Sequence, residues 1–274
     1  MNIKLIGDSC LDYIEGENFY TRVPFNIDVE GVTYVDENLD THMLLQKMSE
    51  SKNGIKTSCP APNLFYDLFE EDKDNYVVCI SSKLSGSYNS AIAAKDMFLE
   101  EHPNTNIEIF DSKSAACGEN LIMLKIKELT DKNLPFKEVV KTVNEYISSV
   151  RTYFILNSYD NLVKNGRMKS IVAKGAQILH IVPVMGENGE GEIMLKHLAR
   201  GTKNAYKKII EAIATSKENI SDRILSITHV EAPQIALTLK EKIKERFNFK
   251  DVRVYKGSGL SCAYADVGGI ILTF

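Results

Sequence analysis

Tyr76-Val77-Val78-Cys79-Ile80-Ser81-Ser82-Lys83-Leu84-Ser85-Gly86-Ser87-Tyr88-Asn89-Ser90-Ala91 is the stretch on which the fold turns. Its first five residues form a compact apolar run of strand length, the kind buried on both faces of a parallel sheet. A polar loop follows and runs into a helix predicted over residues 87–100, after which residues 107–110 read as the next strand. Strand, helix and strand in this order make a β-α-β unit, and such alternation argues for a parallel sheet with helices on its faces. In an open α/β sheet the loop after a strand's carboxyl end is the usual ligand site. A helix N-terminus there presents free N–H groups and partial positive charge, which suits an anion. Ser81, Ser82, Ser85, Ser87 and Ser90 are more hydroxyls than one helix cap needs, and Gly86 lets the backbone approach a ligand closely.

Outward from this unit, residues 2–6 are strand-like and stop at Gly7-Asp8-Ser9. A β-rich stretch over 23–34 turns at Glu30-Gly31. Asp40 is placed to N-cap a helix carrying Met43, Leu44 and Met48 on one side. Residues 54–62 read as a loop, followed by a short helix with Leu64, Phe65 and Leu68. Helices are predicted over 114–132 and 136–149, the second just behind Pro135. From Arg151 the texture changes. Residues 153–156, 181–185, 192–196, 223–228, 252–255 and 270–274 look like strands, alternating with helices near 201–216 and 232–247. Glu187-Asn188-Gly189-Glu190-Gly191 is a hairpin signal, so part of this second sheet is antiparallel. The expected architecture is α/β in two domains. Residues 1–150 carry a mostly parallel, Rossmann-like sheet, and residues 151–274 carry a mixed sheet with helices.

Bulk properties narrow the function classes. The 274 residues suffice for two modest domains, and 44% apolar with 26% charged residues is an ordinary globular balance. A net charge of −4 sets up no positive field for nucleic acid. The lysines of 203–208 read as a solvated helix face. Residues 1–8 are too short an apolar run for a signal-peptide core, and no stretch approaches the roughly 18 apolar residues of a membrane span. No integral membrane segment is expected. Cys10, Cys59, Cys79, Cys117 and Cys262 are odd in number, scattered, and without Cys-x-x-Cys. They suit a reducing compartment, so the chain reads as cytoplasmic.

Familiar catalytic signatures are missing. There is no Gly-x-x-x-x-Gly-Lys-Ser/Thr, no Gly-x-Gly-x-x-Gly and no His-Glu-x-x-His. His42, His102, His180, His197 and His229 share no metal-ligand spacing. Gly259-Leu260-Ser261-Cys262-Ala263 imitates a nucleophile elbow, but in that motif an acid and then a histidine follow the serine. Only eleven residues follow Ala263, none of them histidine, and 263–274 is a poor helix. No catalytic residue, no metal and no cofactor is expected.

Two further polar segments stand out. Lys56-Thr57-Ser58-Cys59-Pro60-Ala61 sets a hydroxyl pair before a helix, and taken alone reads as ordinary N-capping. Tyr159-Asp160-Asn161-Leu162-Val163-Lys164-Asn165-Gly166-Arg167 ends a short helix with glycine and an arginine beyond it, which taken alone is a plain C-cap. In order, Asp8-Ser9, Thr57-Ser58-x-Pro60, the serine-rich 81–91 segment, Asp111-Ser112 with Gly118, Leu162-x-x-x-Gly166-Arg167, Ile181-x-Pro183 and Gly189-x-x-x-Ile193 together resemble the DegV family over nearly the whole chain.

The resemblance implies two α/β domains with one long-chain fatty acid buried in an apolar tunnel between them. Thr57, Ser58 and Ser85 would hold its carboxylate, with Gly86 offering backbone and Arg167 matching the family's Gly-Arg segment. It implies a non-catalytic lipid-binding protein whose partner is a dihydroxyacetone-kinase-like fatty acid kinase subunit that forms acyl phosphate. Asn165-Gly166-Arg167 stands where the family often has Gly-Gly-Arg. Residues 261–269 stand where many members carry His-x-Gly-Pro-Gly, so that Tyr264 or Asp266 takes the place of the histidine. The alternative is an enzyme acting on a small phosphorylated or carboxylated metabolite, with the serine-rich loop as anion cradle. A long dry cavity favours the lipid, and a shallow wet cleft favours the metabolite.

Overall fold

The strands of the computed structural model, which describes residues 2–13, 19–169, 180–216 and 218–274, sort into three sheets. The first contains β1 (Ile3–Asp8) and β2 (Thr21–Val23). The second, small and antiparallel, is built from β3 (Asn26–Val29), β4 (Val32–Val35) and β5 (Ile55–Ser58) in the order β4-β3-β5. With β6 (Asp74–Cys79) and β7 (Ile107–Asp111) the first sheet is four-stranded, ordered β2-β1-β6-β7, and parallel throughout. The third has six strands: β8 (Thr152–Ile155), β9 (Ile181–Glu187), β10 (Ile193–Arg200), β11 (Ile224–His229), β12 (Asp251–Lys256) and β13 (Ile270–Thr273). Its order is β10-β9-β8-β13-β11-β12, parallel only between β11 and β12. The fold is α/β, with one parallel and one mixed sheet.

Nine helices accompany these strands among the described residues: α1 (Thr41–Glu50), α2 (Pro62–Tyr66), α3 (Ser87–Glu101), α4 (Cys117–Asp131), α5 (Phe136–Ser149), α6 (Asp160–Lys164), α7 (Thr202–Ala214), α8 (Pro233–Arg246) and α9 (Gly259–Ala265). β6 shows why its apolar run is continuous. Tyr76 and Val78 point to one face, where α4 and α5 bring Ile122, Ile126, Val139 and Val143. Val77 and Cys79 point to the other, where α2 and α3 bring Phe65, Ala91, Ala94 and Phe98. Both faces are covered, so neither set of alternating side chains from Tyr76 to Cys79 meets solvent. On the six-stranded sheet, α7 and α8 bury Ile209, Ile213, Leu239 and Ile243 against Leu225, Ile227 and Leu272. α4 is shared. It touches β1 and β6 of the parallel sheet as well as β11 and β13 of the mixed one. No helix among the described residues is long and apolar enough to cross a membrane.

The Asp40 cap is present, with its carboxylate accepting from the N–H groups of His42 (3.0 Å) and Met43 (3.1 Å). One local expectation needs correction. Residues 55–58, inside the expected loop, form strand β5, because pairing with β3 satisfies a segment whose own alternation is only four residues long. Residues 259–265 are helical, so Ser261 lies inside a helix rather than on a strand-to-helix turn. The start of that helix is fixed from afar, by Asp36 accepting from Gly259 and Leu260 N–H.

Candidate functional site

Four acidic residues lie sealed where the parallel and mixed sheets meet: Asp8, Asp12, Asp36 and Glu119, none more than 2% exposed. A buried carboxylate is tolerated only if its oxygens are hydrogen-bonded. Asp8 accepts from Cys10 N (3.1 Å), Ile80 N (3.0 Å) and Ser87 Oγ (2.6 Å). Asp12 accepts from Ser258 N (2.8 Å), Ser261 Oγ (2.8 Å) and the Thr228 hydroxyl. Asp36 accepts from Ser9 Oγ (2.8 Å) and from Gly259 and Leu260 N (both 2.9 Å), with Arg22 at 4.0 Å. Burial raises the pKa of all three, and these hydrogen bonds oppose it. Glu119 differs. Burial, and then the charge of Asp8, push its carboxyl well above the ordinary range.

Asp8, Cys10 and Glu119 place their donor atoms within 4.8 Å of one another, the spacing of a metal site. Burial raises the carboxyls of Asp8 and Glu119 and the Cys10 thiol, and Asp8 already accepts three hydrogen bonds from its own chain.

The serine-rich loop is mostly occupied with holding itself. Ser82 Oγ donates to Asp111 Oδ2 (2.5 Å), and Ser87 Oγ to Asp8. Ser81 Oγ donates to the Gly191 carbonyl (2.8 Å), on the hairpin between β9 and β10. Ser90 Oγ lies 3.9 Å from Cys59 Sγ. Ser85 is the exception. Its oxygen accepts from Ser87 N (3.2 Å), while its O–H has no acceptor among the described residues.

Ser85 lines a cavity between the two larger sheets. The cavity holds about 870 Å³ of atom-free space counted out to its opening. Its walls are chiefly Phe25, Ile80, Leu84, Phe154, Leu156, Leu162, Leu260 and Ile271. Several polar groups on the wall are partnered internally: Ser114 with Thr152 (2.7 Å), Ser261 with Asp12, and Lys113 with Glu190 (3.3 Å).

Thr57, Ser85 and Arg167 all line this cavity, and Tyr264 lines it with them. Thr57 Oγ1 and Tyr264 Oη are 2.7 Å apart. One hydrogen joins the two oxygens and the other hydroxyl proton remains to be donated. Arg167 is braced by Nε to Leu84 O (3.1 Å) and Nη1 to Asn165 O (2.5 Å), leaving Nη2 without a partner among the described residues. Asn165 in turn donates to Ile55 O (3.1 Å), tying the arginine's turn to β5. Ser58 and Gly86 are not on the cavity wall, and both are exposed. Alternation along β5 turns Ser58 away from the face Thr57 occupies. Gly86 sits one residue past Ser85, packed toward Cys59. Of the two candidates for the histidine's place, Tyr264 lines the cavity and Asp266 does not. The buried Asp8, Asp12 and Asp36 position this wall, and none of them is among the residues the motifs nominate for the ligand. The signal available was two acids in an otherwise buried run, Asp8-Ser9-Cys10-Leu11-Asp12.

The whole chain has relatives among known proteins. The sequence pattern of the DegV family, described as "Uncharacterised protein, DegV family", matches residues 2–270. A DegV domain-containing protein of Streptococcus pyogenes serotype M18 is 34% identical over 280 residues, spanning 100% of this chain and 99% of its own. A DegV family protein from Ruminococcus gnavus ATCC 29149, whose crystal structure was refined with vaccenic acid, is 37% identical. It superimposes with a TM-score of 0.94 over 99% of each chain. The Streptococcus pneumoniae Fatty Acid Kinase (Fak) B3 protein loaded with linoleic acid is 31% identical, with a TM-score of 0.94 over 100% of this chain and 99% of that one. A DegV family protein from Eubacterium eligens loaded with heptadecanoic acid is 30% identical, with a TM-score of 0.92 over 99% and 98%. By sequence match over nearly its full length, the chain belongs to the DegV family.

Proposed function

We propose that this protein binds one long-chain fatty acid in the cavity between its parallel and mixed sheets and presents the carboxylate to a separate kinase. The observation that carries the reading is a contrast on one cavity wall. Apolar side chains dominate, yet Thr57 with Tyr264, Ser85 and Arg167 keep donors without an internal acceptor. Neutral hydroxyls and one guanidinium are what a carboxylate needs to be held in place. The tail supplies affinity. At about 0.8 kcal/mol per buried methylene, a chain of about sixteen carbons gains on the order of 10 kcal/mol before the costs of association. Relatives 30–37% identical that carry vaccenic, linoleic or heptadecanoic acid support the assignment.

The kinase role draws on the likeness to the Fatty Acid Kinase B3 protein, and the partner is taken to be a dihydroxyacetone-kinase-like subunit acting in the cytoplasm. The reading keeps two domains, residues 1–150 and 151–274, supported by the last strand of the parallel sheet ending at Asp111 and the first of the mixed one starting at Thr152. The protein itself is assigned no catalysis and no cofactor. Among the described residues Ser85 Oγ donates to no base, and Ser261 Oγ donates to the buried Asp12. A small-metabolite enzyme would want a shallow wet cleft, whereas this cavity runs between two sheets and is lined chiefly by apolar side chains. Native mass spectrometry of the purified protein, paired with solvent extraction, tests the assignment. One fatty acid per chain is expected, and a bare chain with an empty extract refutes it.

A further inference from the structure

We propose that the cavity is built for a long-chain fatty acid that carries an oxygen, as hydroxyl or ketone, part-way along its chain. The inference rests on the fatty-acid reading of the cavity and narrows it to a substrate class. Strand β8 lines the cavity along its length, because Thr152, Phe154 and Leu156 alternate onto one face. Leu156 belongs to the apolar cluster that includes Leu162 and Tyr264, beside the groups assigned to the carboxylate. Thr152 lies four residues back, about 13 Å along an extended strand. A saturated tail passing there calls for apolar contacts, and the wall instead offers hydroxyls.

These belong to Ser114 and Thr152, 4% and 6% exposed, whose oxygens are 2.7 Å apart. Thr152 Oγ1 also accepts from Thr273 Oγ1 (3.4 Å). The bond between Ser114 and Thr152 uses one hydrogen, and two are present. If Thr152 donates, Ser114 keeps its proton. If Ser114 donates, Thr152 keeps its own. Either way one buried O–H is left with no acceptor among the described residues.

The pair is held in place from behind. Ser114 N donates to Ser112 Oγ (3.1 Å), and Ser114 O accepts from Ser81 N (2.9 Å). Gly118 of α4 lies against the hydroxyl so closely that a Cβ there would collide with Ser114 Oγ. A buried donor without a partner costs free energy, which one well-placed acceptor on the ligand recovers. A single neutral donor suits a neutral oxygen rather than a second carboxylate. Lys113, the residue before Ser114, has its charge engaged by Glu190 (3.3 Å).

The test is displacement of a fluorescent fatty acid by stearic acid and by its monohydroxy and monoketo forms. The oxygen is placed near the carboxylate, at mid-chain or near the methyl end. At one position along the chain the oxygenated acid should bind about three- to tenfold tighter than stearic acid, the worth of one hydrogen bond. Ser114→Ala combined with Thr152→Val removes both hydroxyls with little change of shape. The order should then reverse, because an oxygen buried among carbon without a partner weakens binding. The readout is the ratio of affinities within each protein, so a general change in binding cancels. Circular dichroism checks the fold of the double variant, and if it fails to fold the wild-type comparison decides alone. A wild-type protein that binds stearic acid as tightly as every oxygenated form overturns the inference, since water then takes the spare hydrogen. So does a preference that survives in the double variant. Both results leave the fatty-acid reading standing. A wild-type protein that binds none of the acids, stearic acid included, overturns that reading and the inference with it.

Discussion

Two polar regions lie within a few residues of each other in this molecule and behave oppositely. The acid seam of Asp8, Asp12 and Asp36 is closed, with each carboxylate accepting three hydrogen bonds from groups of the same chain. The cavity wall of Thr57, Ser85, Arg167 and Tyr264 is open, its donors braced in position but not consumed. Both regions draw on the same loops. Asp8 holds Ile80 and Ser87, and so brackets Ser85. Asp36 holds the first turn of α9, and so sets Tyr264. A satisfied buried network defines a shape, while donors left over at its edge define a ligand.

The seam should therefore carry stability and the wall binding, and the sharpest break of that contrast is Asp36→Ala. It strands the Ser9 hydroxyl and two backbone N–H groups and leaves Arg22 without its carboxylate. A loss of about 3–5 kcal/mol in unfolding free energy is expected, read from urea denaturation. A loss below about 1 kcal/mol would mean that water replaces the carboxylate and that the seam is not closed.

On the wall the expectation inverts. Thr57→Ala and Ser85→Ala should each weaken fatty-acid binding by roughly 1.5–3 kcal/mol, or about 10- to 150-fold, while changing stability by less than about 1 kcal/mol. Ser82→Ala is the control. Its hydroxyl serves Asp111, so stability should fall while affinity stays within a few-fold. If Ser82→Ala and Ser85→Ala prove indistinguishable in binding, the distinction between closed and open groups fails inside this loop.

The contrast also explains what was legible before any coordinates. The parallel unit was, because a strand covered on both faces has to be a continuous apolar run and β6 is one. The hairpin was, because Asn188-Gly189 encodes its own turn. The serine-rich loop stood out by the density of its hydroxyls, and the structure divides those hydroxyls between two tasks. Ser81, Ser82 and Ser87 are there to hold the loop, and Ser85 is the one facing the cavity. The seam was not legible. Asp36 bonds to residues 223 and 224 positions away, and Thr57 meets Tyr264 across 207. No local pattern reports partners at that distance. β5 and α9 were missed for the same cause, since each is short and is stabilised chiefly by what it docks against.

Glu119 offers a subtler test, through pH. Its carboxyl is raised above the ordinary value by burial first and by Asp8 second. Between the ordinary value and the raised one, the native state holds a proton that the unfolded state has released. The unfolded state then binds fewer protons, and stability falls as pH rises through that window. Glu119→Gln has no such proton to lose. Its melting temperature should exceed wild type at pH 8, with the advantage shrinking toward pH 4. An advantage that is the same at both values would show that Glu119 does not titrate in this window.

The smallest expected effect is the most exacting, because it concerns a residue the motif nominated. Ser58 shares its segment with Thr57, and by resemblance alone both hydroxyls would reach the carboxylate. In the strand they cannot face the same way. Thr57 lines the cavity beside Tyr264, while Ser58 is exposed on the opposite face of β5 and pairs through its backbone with Asn26. Removing an exposed hydroxyl at such a position usually changes stability by no more than about 0.5 kcal/mol. Ser58→Ala should therefore leave fatty-acid affinity within about twofold, while Thr57→Ala in the same assay loses at least tenfold. Because the two positions are adjacent, any general disturbance of β5 would weaken both variants alike. A tenfold loss at Ser58 with folding intact would mean that the strand rotates when the ligand binds. The open wall would then be assembled by the fatty acid rather than waiting for it.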